Sequence, residues 1–479
     1  MPLPGAARRA PEARAPARPV MAAVDHAARP AETLARQLAA PAAGLEYEQL
    51  SADVVEQAKL CVLDLLASAF AARELPWARE AVAAARAGSG GAGTASIVGT
   101  ADTATPADAA FANAVLGHGL VRDDMHLGSV SHLGTVLVPA LLALAPASRA
   151  SGKDFVAALA AGYEIGGKVG RMILDVDVAR IFRPTGIAGP LAAAAAGARL
   201  LGASEEQTAA ALGLAANTVA GYNEWAATGG SEMFFHVGFA ARNAVTAVHL
   251  ALAGAHASPT ALDGEAGLLA AFGKPRRPAV PPPFADRPEI LAVFFKPVPA
   301  CNFAQAAAQT AHAIAAAHGP LGEGVQRITV RVPYAAAHYP GCDCAGPFER
   351  ILQAKMSIQY NVAAALARGD FAERNYEPSR NPDVLRLAAL TRLEVDDALT
   401  RAYPAKQGAE VIVSLGGGRV LAHRAEAIVP AGAADVRARF DAAAAAALGA
   451  ERAAALRRFV EAIENAPHAG ELARLVRSA

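Results

Sequence analysis

Apolar positions recur at helical spacing from about residue 33 to residue 272, in successive segments separated by short breaks of Gly, Pro and Ser. Ser51, with an acid at Asp53, opens VVEQAKLCVLDLLASAFAA, in which Val54, Ala58, Cys61, Val62, Leu65 and Leu66 recur with a helical period. Similar patterns cover 106–117, 137–144, 153–173, 191–201, 204–220 and 239–255. The spacing predicts an all-helical domain over residues 31–275.

The period changes after Pro275. PRRPAVPPPFAD reads as a linker, because its prolines fix φ and remove backbone donors. In QRITVRVP, Ile328, Val330 and Val332 alternate with polar residues as on a half-exposed strand. AEVIVSL and RVLAHRAEAIV alternate on either side of Gly416, Gly417 and Gly418, which predicts a hairpin with a glycine turn. Helical patterns at 302–317 and 356–367 lie between these strands. The fold class expected is therefore mainly α with a smaller α+β domain over 276–428, followed by C-terminal helices over 429–479 that return to the first domain.

Composition sharpens this picture. The chain is 53% hydrophobic but only 5% aromatic, and alanine supplies the difference, which suits helices packed closely through small side chains. Lys+Arg and Asp+Glu both number 44, so no broad field points to nucleic acid or an anionic membrane, and a small molecule is the expected partner. Cys61, Cys301, Cys342 and Cys344 form neither a disulfide framework nor paired zinc knuckles, and a cytoplasmic location fits. No window reaches the roughly twenty uninterrupted apolar residues of a membrane span. Residues 1–30, rich in Ala, Arg and Pro, read as a disordered leader, with an organellar address as the other reading and Met21 as a candidate start.

Against this apolar background, HGLVRDDMHLGSVSHLG concentrates His118, Arg122, Asp123, Asp124, His126 and His132 in one stretch. Helix packing asks only for apolar volume, so such a cluster suggests proton transfer or anion binding. Adjacent aspartates cannot share one face of a regular element, and Gly119, Gly128 and Gly134 favour a loop. Further along, Arg183 precedes Thr185 and Gly186 at the start of an Ala-rich helix, where backbone donors and a guanidinium together suit an anion. His236 sits beside Phe234 and Phe235, where a lone histidine is as readily a core residue. Lys296 lies between an apolar run and two prolines, with Asn302 as a helix N-cap behind it. Ser357 and Tyr360 fall on one helical face, with tyrosine as a donor or as core packing. The histidines lack HExxH spacing and adjacent aspartates suit zinc poorly, so no metal is expected. Neither a Walker loop nor a GxGxxG after a strand nor a GxSxG elbow occurs.

Taken in order, HGLVRDDMH…SHLG, ASGKDFVAALAAGYEIGGKVG, FRPTGIAGPLAAAAAGARLLG, HVGFAARNAV, KPVPACNFAQAA and MSIQYNVAAAL resemble the MmgE/PrpD family over nearly all of residues 33–479. That resemblance implies a helical domain and an α+β lid with the site between them, a homodimer, and no iron–sulfur cluster or organic cofactor. Asp123, Asp124, His132, Lys296 and Tyr360 match the family's site residues. Val121, Met125, Arg183 and Met233 depart from it, standing where better-known members carry aspartate, threonine, histidine and lysine.

The activity implied is a lyase of the dehydratase type on a small di- or tricarboxylate, begun by proton abstraction beside a carboxylate. His132, Asp124 and His126 are the candidate proton carriers, Lys296 would clamp a carboxylate at the reacting centre, and Tyr360 would donate to the developing charge or leaving group. Arg122, Asp123, Arg183, His236 and Asn302 would bind substrate. An epimerase or isomerase of a small dicarboxylate and a non-catalytic binding homologue are the other readings.

Overall fold

The computed structural model describes residues 33–90, 93–278 and 281–478, so the leader expected over 1–30 lies outside the described residues. Its helical part begins with α1 (Leu34–Ala43), α2 (Ala52–Ala72), α3 (Pro76–Gly88) and α4 (Pro106–His118), with a short ladder of β1 (Ala95–Ser96) on β2 (Thr103–Ala104) between α3 and α4. Side-chain caps start these helices where the sequence provides them: Ser51 Oγ accepts from the Val54 amide, and Thr105 Oγ1 from that of Asp108. After β3 (Met125–His126) come α5 (Gly134–Leu144), α6 (Gly152–Ile173), α7 (Val176–Ile181), α8 (Pro184–Leu200) and α9 (Glu205–Ala216). Next follow α10 (Trp225–Thr228), α11 (Glu232–Leu252) and α12 (Leu268–Ala271).

The core is built where α6 meets α8, α11 meets α4 and α8, and α4 meets α5. Alanine permits these approaches. Its small methyl brings helix axes close, and the aliphatic residues of α5, all buried, fill the space left. Glycine goes further on α6. A Cβ on Gly170 would stand 2.1 Å from Ser129 Cβ, and one on Gly167 would stand 2.8 Å from Glu289 Cβ, so this face accepts the loop beyond β3 and the 289 segment in direct contact.

The second part holds β4 (Val293–Phe294), α13 (Gln305–His318), β5 (Val325–Val332), α14 (Tyr334–Ala337), α15 (Ile351–Met356), α16 (Ile358–Arg368), α17 (Pro382–Ala389), β6 (Thr391–Val395), α18 (Asp397–Ala402), β7 (Ala409–Leu415) and β8 (Val420–Ala425). Its sheet has the order β6-β5-β7-β8, with β5 parallel to β6 and the other pairs antiparallel. The expected hairpin is β7–β8, turning through Gly417 and Gly418 at φ of 74° and 80°. The strand β6 escapes the sequence reading because TRLEV is short and mostly polar.

Two features differ from expectation. The segment read as a linker is anchored at its end: Glu164 of α6 accepts from the amides of Phe284 and Glu289, both at 2.8 Å, and Lys168 pairs with Asp286 at 2.7 Å. Polar anchors of this kind are invisible in a proline-rich composition. Asn302 opens a 3₁₀ turn over Asn302–Ala304, and its side chain caps nothing; Nδ2 donates to Gln407 Oε1 at 3.1 Å instead. Beyond the sheet, α19 (Ala433–Leu448), α20 (Ala450–Glu461) and α21 (Glu471–Leu475) follow. Here α19 lies along α2, with Phe440 edge-on to Phe70, and Thr33–Ala479 forms one compact unit. No helix among the described residues is long and apolar enough to cross a membrane.

Candidate active site

The loop from α4 to α5 carries the charged cluster, and its path is held from three sides. β3 pairs with β4, setting Met125 opposite Phe294 and bringing the loop beside Lys296. Lys355, buried at the end of α15, donates to the carbonyls of Leu120 (3.0 Å) and Pro299 (2.9 Å) and to Glu373 (2.8 Å). His126 is fixed between Ser129 Oγ and Glu289 Oε2, both at 2.8 Å, and Arg171 donates to the same carboxylate. Under these constraints Val121 and Val130 take φ of 58° and 49°. A β-branched residue in the left-handed region costs on the order of 1–3 kcal/mol, and such strain gathers at functional sites.

Both strained valines line one small cavity, together with Met125, His132, Arg183, Cys301, Asn302, Phe303, Tyr339 and Met356. Its free volume is about 10 Å³, room for one water.

At its polar end Asp123 bridges two imidazoles. His118 Nδ1 lies 2.9 Å from Asp123 Oδ1, and His132 Nδ1 lies 3.2 Å from Oδ2 and 2.9 Å from the Asp124 carbonyl. Nδ1 of His132 thus faces two acceptors and must carry the proton, which leaves Nε2 as the basic nitrogen. No described residue hydrogen-bonds it. Burial, joined by the Lys296 cation, pushes His132 down to about 3 against the pull of Asp123, so the imidazole is neutral at pH 7. Burial alone would raise Asp123, but the two histidines more than offset it and hold this carboxyl well below its usual range.

Arg183 supplies the positive charge. It is buried, and Nη2 donates to His118 Nε2 at 2.9 Å and Nη1 to Tyr339 Oη at 3.3 Å, while Nε has no partner. None of the ion pairs among the described residues includes it. Asn302 Oδ1 is likewise buried without a partner. Lys296 lies just behind the wall, donating to the Val121 carbonyl and, at 3.1 Å, to that of Ala300; burial pushes it down to about 8, with Asp123 opposing. The ligand-capable atoms of His118, Asp123 and His132 lie within 4.8 Å of one another, near enough to share a cation. Here they bond to each other, and Arg183 and Lys296 already bring two positive charges to them.

The cavity therefore brings together His132, Arg183 and Asn302, with Asp123 and Lys296 in support. Other expected site residues lie elsewhere. Asp124 turns the opposite way from Asp123, accepting from the Gly134 amide at 3.1 Å and from the Tyr163 hydroxyl, and burial raises it to about 7. His126 anchors the loop. Tyr360 donates to the Asn375 carbonyl at 2.7 Å and packs on Phe348, because Ser357 caps α16 and turns that face inward. Arg122 acts on Asp64, Lys355 and Arg439. His236 sits behind Arg183, pushed down to about 4 by burial and then by Arg183. The sequence reading did not single out Cys301, Phe303, Tyr339 or Met356; Cys301 and Phe303 lie inside the Lys296 motif and Met356 opens the Tyr360 motif, while Tyr339 lies in none. Cys301 Sγ lies 3.6 Å from Cys342 Sγ, and that hydrogen bond is the chief cause that lowers Cys301 to about 7.

Comparison with known proteins gives a consistent picture. The family model of the MmgE/PrpD N-terminal domain matches residues 36–280, and that of the MmgE/PrpD C-terminal domain matches residues 298–465. A cis-aconitate decarboxylase-like protein of Aspergillus oryzae is 32% identical over 215 residues, covering 43% of this chain and 44% of that protein. The cis-aconitate decarboxylase of Homo sapiens is 30% identical over 307 residues, 60% of this chain and 61% of that protein. That of Aspergillus terreus is 29% identical over 240 residues, 49% of each. The chain spans about half the length of the curated relatives it matches.

Proposed function

The chain belongs to the MmgE/PrpD family, and from that premise we propose a lyase that acts on a small di- or tricarboxylate by proton transfer at the carbon beside a carboxylate. One observation carries this reading: a buried guanidinium, Arg183, with an unpartnered Nε and no counter-ion among the described residues, in the same cavity as the free Nε2 of a neutral histidine. A buried unpaired charge costs several kcal/mol, and a bound carboxylate removes that penalty.

In this mechanism His132 Nε2 takes the proton. The electron pair of the C–H bond forms an enolate, which Arg183 and the field of Lys296 stabilise, and Asp123 holds the imidazolium in place. When a β-hydroxyl takes that proton from the His132 imidazolium and leaves as water with the C–O pair, the enolate pair forms the alkene. Run with a carboxylate as the leaving group, the C–C bond breaks, carbon dioxide departs without the bonding pair, and the pair stays on carbon as a stabilised carbanion that takes a proton from solvent relayed through His132, the direction the relatives' names favour. A second reading, epimerisation, is favoured by Cys301, a thiol near neutrality in the same wall that offers a second proton carrier.

The test is incubation with cis-aconitate and a set of hydroxy di- and tricarboxylates in heavy water, following alkene absorbance, carbon dioxide and deuterium. Net lyase product is expected, reduced on the order of 10²-fold in folded His132→Gln and Arg183→Met variants. Near-normal turnover in those variants overturns the assignment. Deuterium exchange without net product selects the epimerase, and binding without either outcome selects the non-catalytic homologue.

A further inference from the structure

A second cavity, of about 380 Å³, lies against the first and shares Val130, Phe303 and Tyr339 with it. Its remaining wall is mostly apolar, with Leu174, Val176 and Ala179 from the α7 side and Pro333, Ala335 and Pro404 from the side of the sheet. The charged residue there, Asp175, is already committed: it caps α7 through the Val178 amide at 2.9 Å and pairs with Lys274. The polar cavity itself has few charges to offer. Val121, Met125 and Met356 make up much of its wall, and among its lining residues Arg183 is the cation.

A bare tricarboxylate would need several cations at this wall, and the larger space next door would stay empty. We propose that the substrate is instead a carboxylate bearing an apolar arm, alkyl or aryl, with its carboxylate on Arg183 and its arm passing between Phe303 and Tyr339 into the second cavity. Tyr339 stands at the junction. Its hydroxyl accepts from Arg183 at the polar end, and its ring packs on Phe303, tilted by 48° at 5.1 Å between centroids, so the two rings part to admit the arm when the cavity opens. A molecule gripped at Arg183 is thereby directed along the tyrosine ring. The space suits a benzyl group or a medium alkyl chain, within the usual range for small-molecule pockets. This inference rests on the carboxylate reading above and narrows its substrate class.

Isothermal titration calorimetry of the full chain with succinate, benzylsuccinate and hexylsuccinate tests it. The arm-bearing compounds are expected to bind at least about ten-fold more tightly than succinate, as burial of that much apolar surface requires. Ala179→Phe and Ala335→Phe, which fill the second cavity from opposite walls, are expected to bring the ratio of the affinities to within about two-fold of one, with Ala179→Leu as the milder variant should either fail to fold. Equal affinity for succinate and benzylsuccinate in the unaltered protein overturns the arm and leaves the carboxylate reading standing. So does a ratio that survives in folded filled variants. Failure of all three compounds to bind removes the carboxylate reading itself, and this inference with it.

Discussion

At the scale of single residues, burial shifts the pKa of Lys296 and of His132 well below the ordinary values, and each shift carries a pH consequence. Lys296, held down to about 8, keeps its charge at neutrality and loses it just above. We therefore expect kcat/KM to fall by about ten-fold for each pH unit above that value, and a folded Lys296→Met variant to be slower with no such limb. The same limb persisting in Lys296→Met excludes the lysine. His132 gives the opposite test, on stability. Its folded imidazole stays neutral to about 3, while the unfolded chain takes up the proton near the ordinary value of about 6.5. Between those values the unfolded state binds more protons, so stability rises with pH and is lost on acidification, by about 2 kcal/mol at pH 5. Denaturant titrations should show the unaltered protein losing about that much more than His132→Gln between pH 7 and pH 5; parallel losses would mean that the imidazole is not held neutral. The sequence made these polar residues conspicuous, since acids, bases and a guanidinium stand out among alanines. It could not say which of two adjacent aspartates bridges His118 and His132. That depends on the left-handed turn at Val121, a residue whose type gives no hint of positive φ.

At the scale of elements, the loop is shaped by what it packs against. The regular helices were legible because capping residues and apolar periodicity agree, as at Ser51 and Thr105. What the pattern did not reveal were contacts between elements: the two-residue ladder of β3 on β4, the polar anchors of the 284–289 segment, and the glycine face of α6. Aromatic and aliphatic residues that line the cavity, such as Phe303, Tyr339 and Met356, look in sequence like any core residue. The glycine face makes a direct prediction. In Gly170→Ala the new methyl would meet Ser129 Cβ, displacing the turn that holds His126 and, through it, the path to His132. A cost of about 1–3 kcal/mol in thermal or denaturant unfolding is expected, together with a loss in kcat at 25 °C where the variant remains folded. Full activity and an unchanged melting temperature would show that the turn yields freely and that its position does not matter.

At the scale of the whole molecule, the site is closed by parts far apart in the chain. His132 and Arg183 come from the helical region, Cys301, Asn302 and Phe303 from the segment after β4, Tyr339 and Met356 from the α+β region, and α19 fastens the Lys296 segment through Arg439, which donates to the Lys296 carbonyl at 2.9 Å. A free volume of about 10 Å³ cannot hold a dicarboxylate, so the ligand-accepting form must differ from this one, with the two walls separated. The closed form already makes favourable contacts, among them Arg183 to Tyr339 across the cavity, and opening breaks them. Opening then precedes binding, and its rate limits how fast a ligand can arrive. Trp225 reports on this event, because its ring lies 5.9 Å from the Arg183 guanidinium. In stopped-flow fluorescence with a dicarboxylate such as succinate, the observed rate should level off with concentration, whereas simple encounter gives a rate that climbs linearly throughout. Linear growth up to saturating ligand would mean that the walls part without a barrier. Weakening the contact across the cavity with Tyr339→Phe should raise the plateau and tighten apparent binding, since less of the protein is held in the closed form.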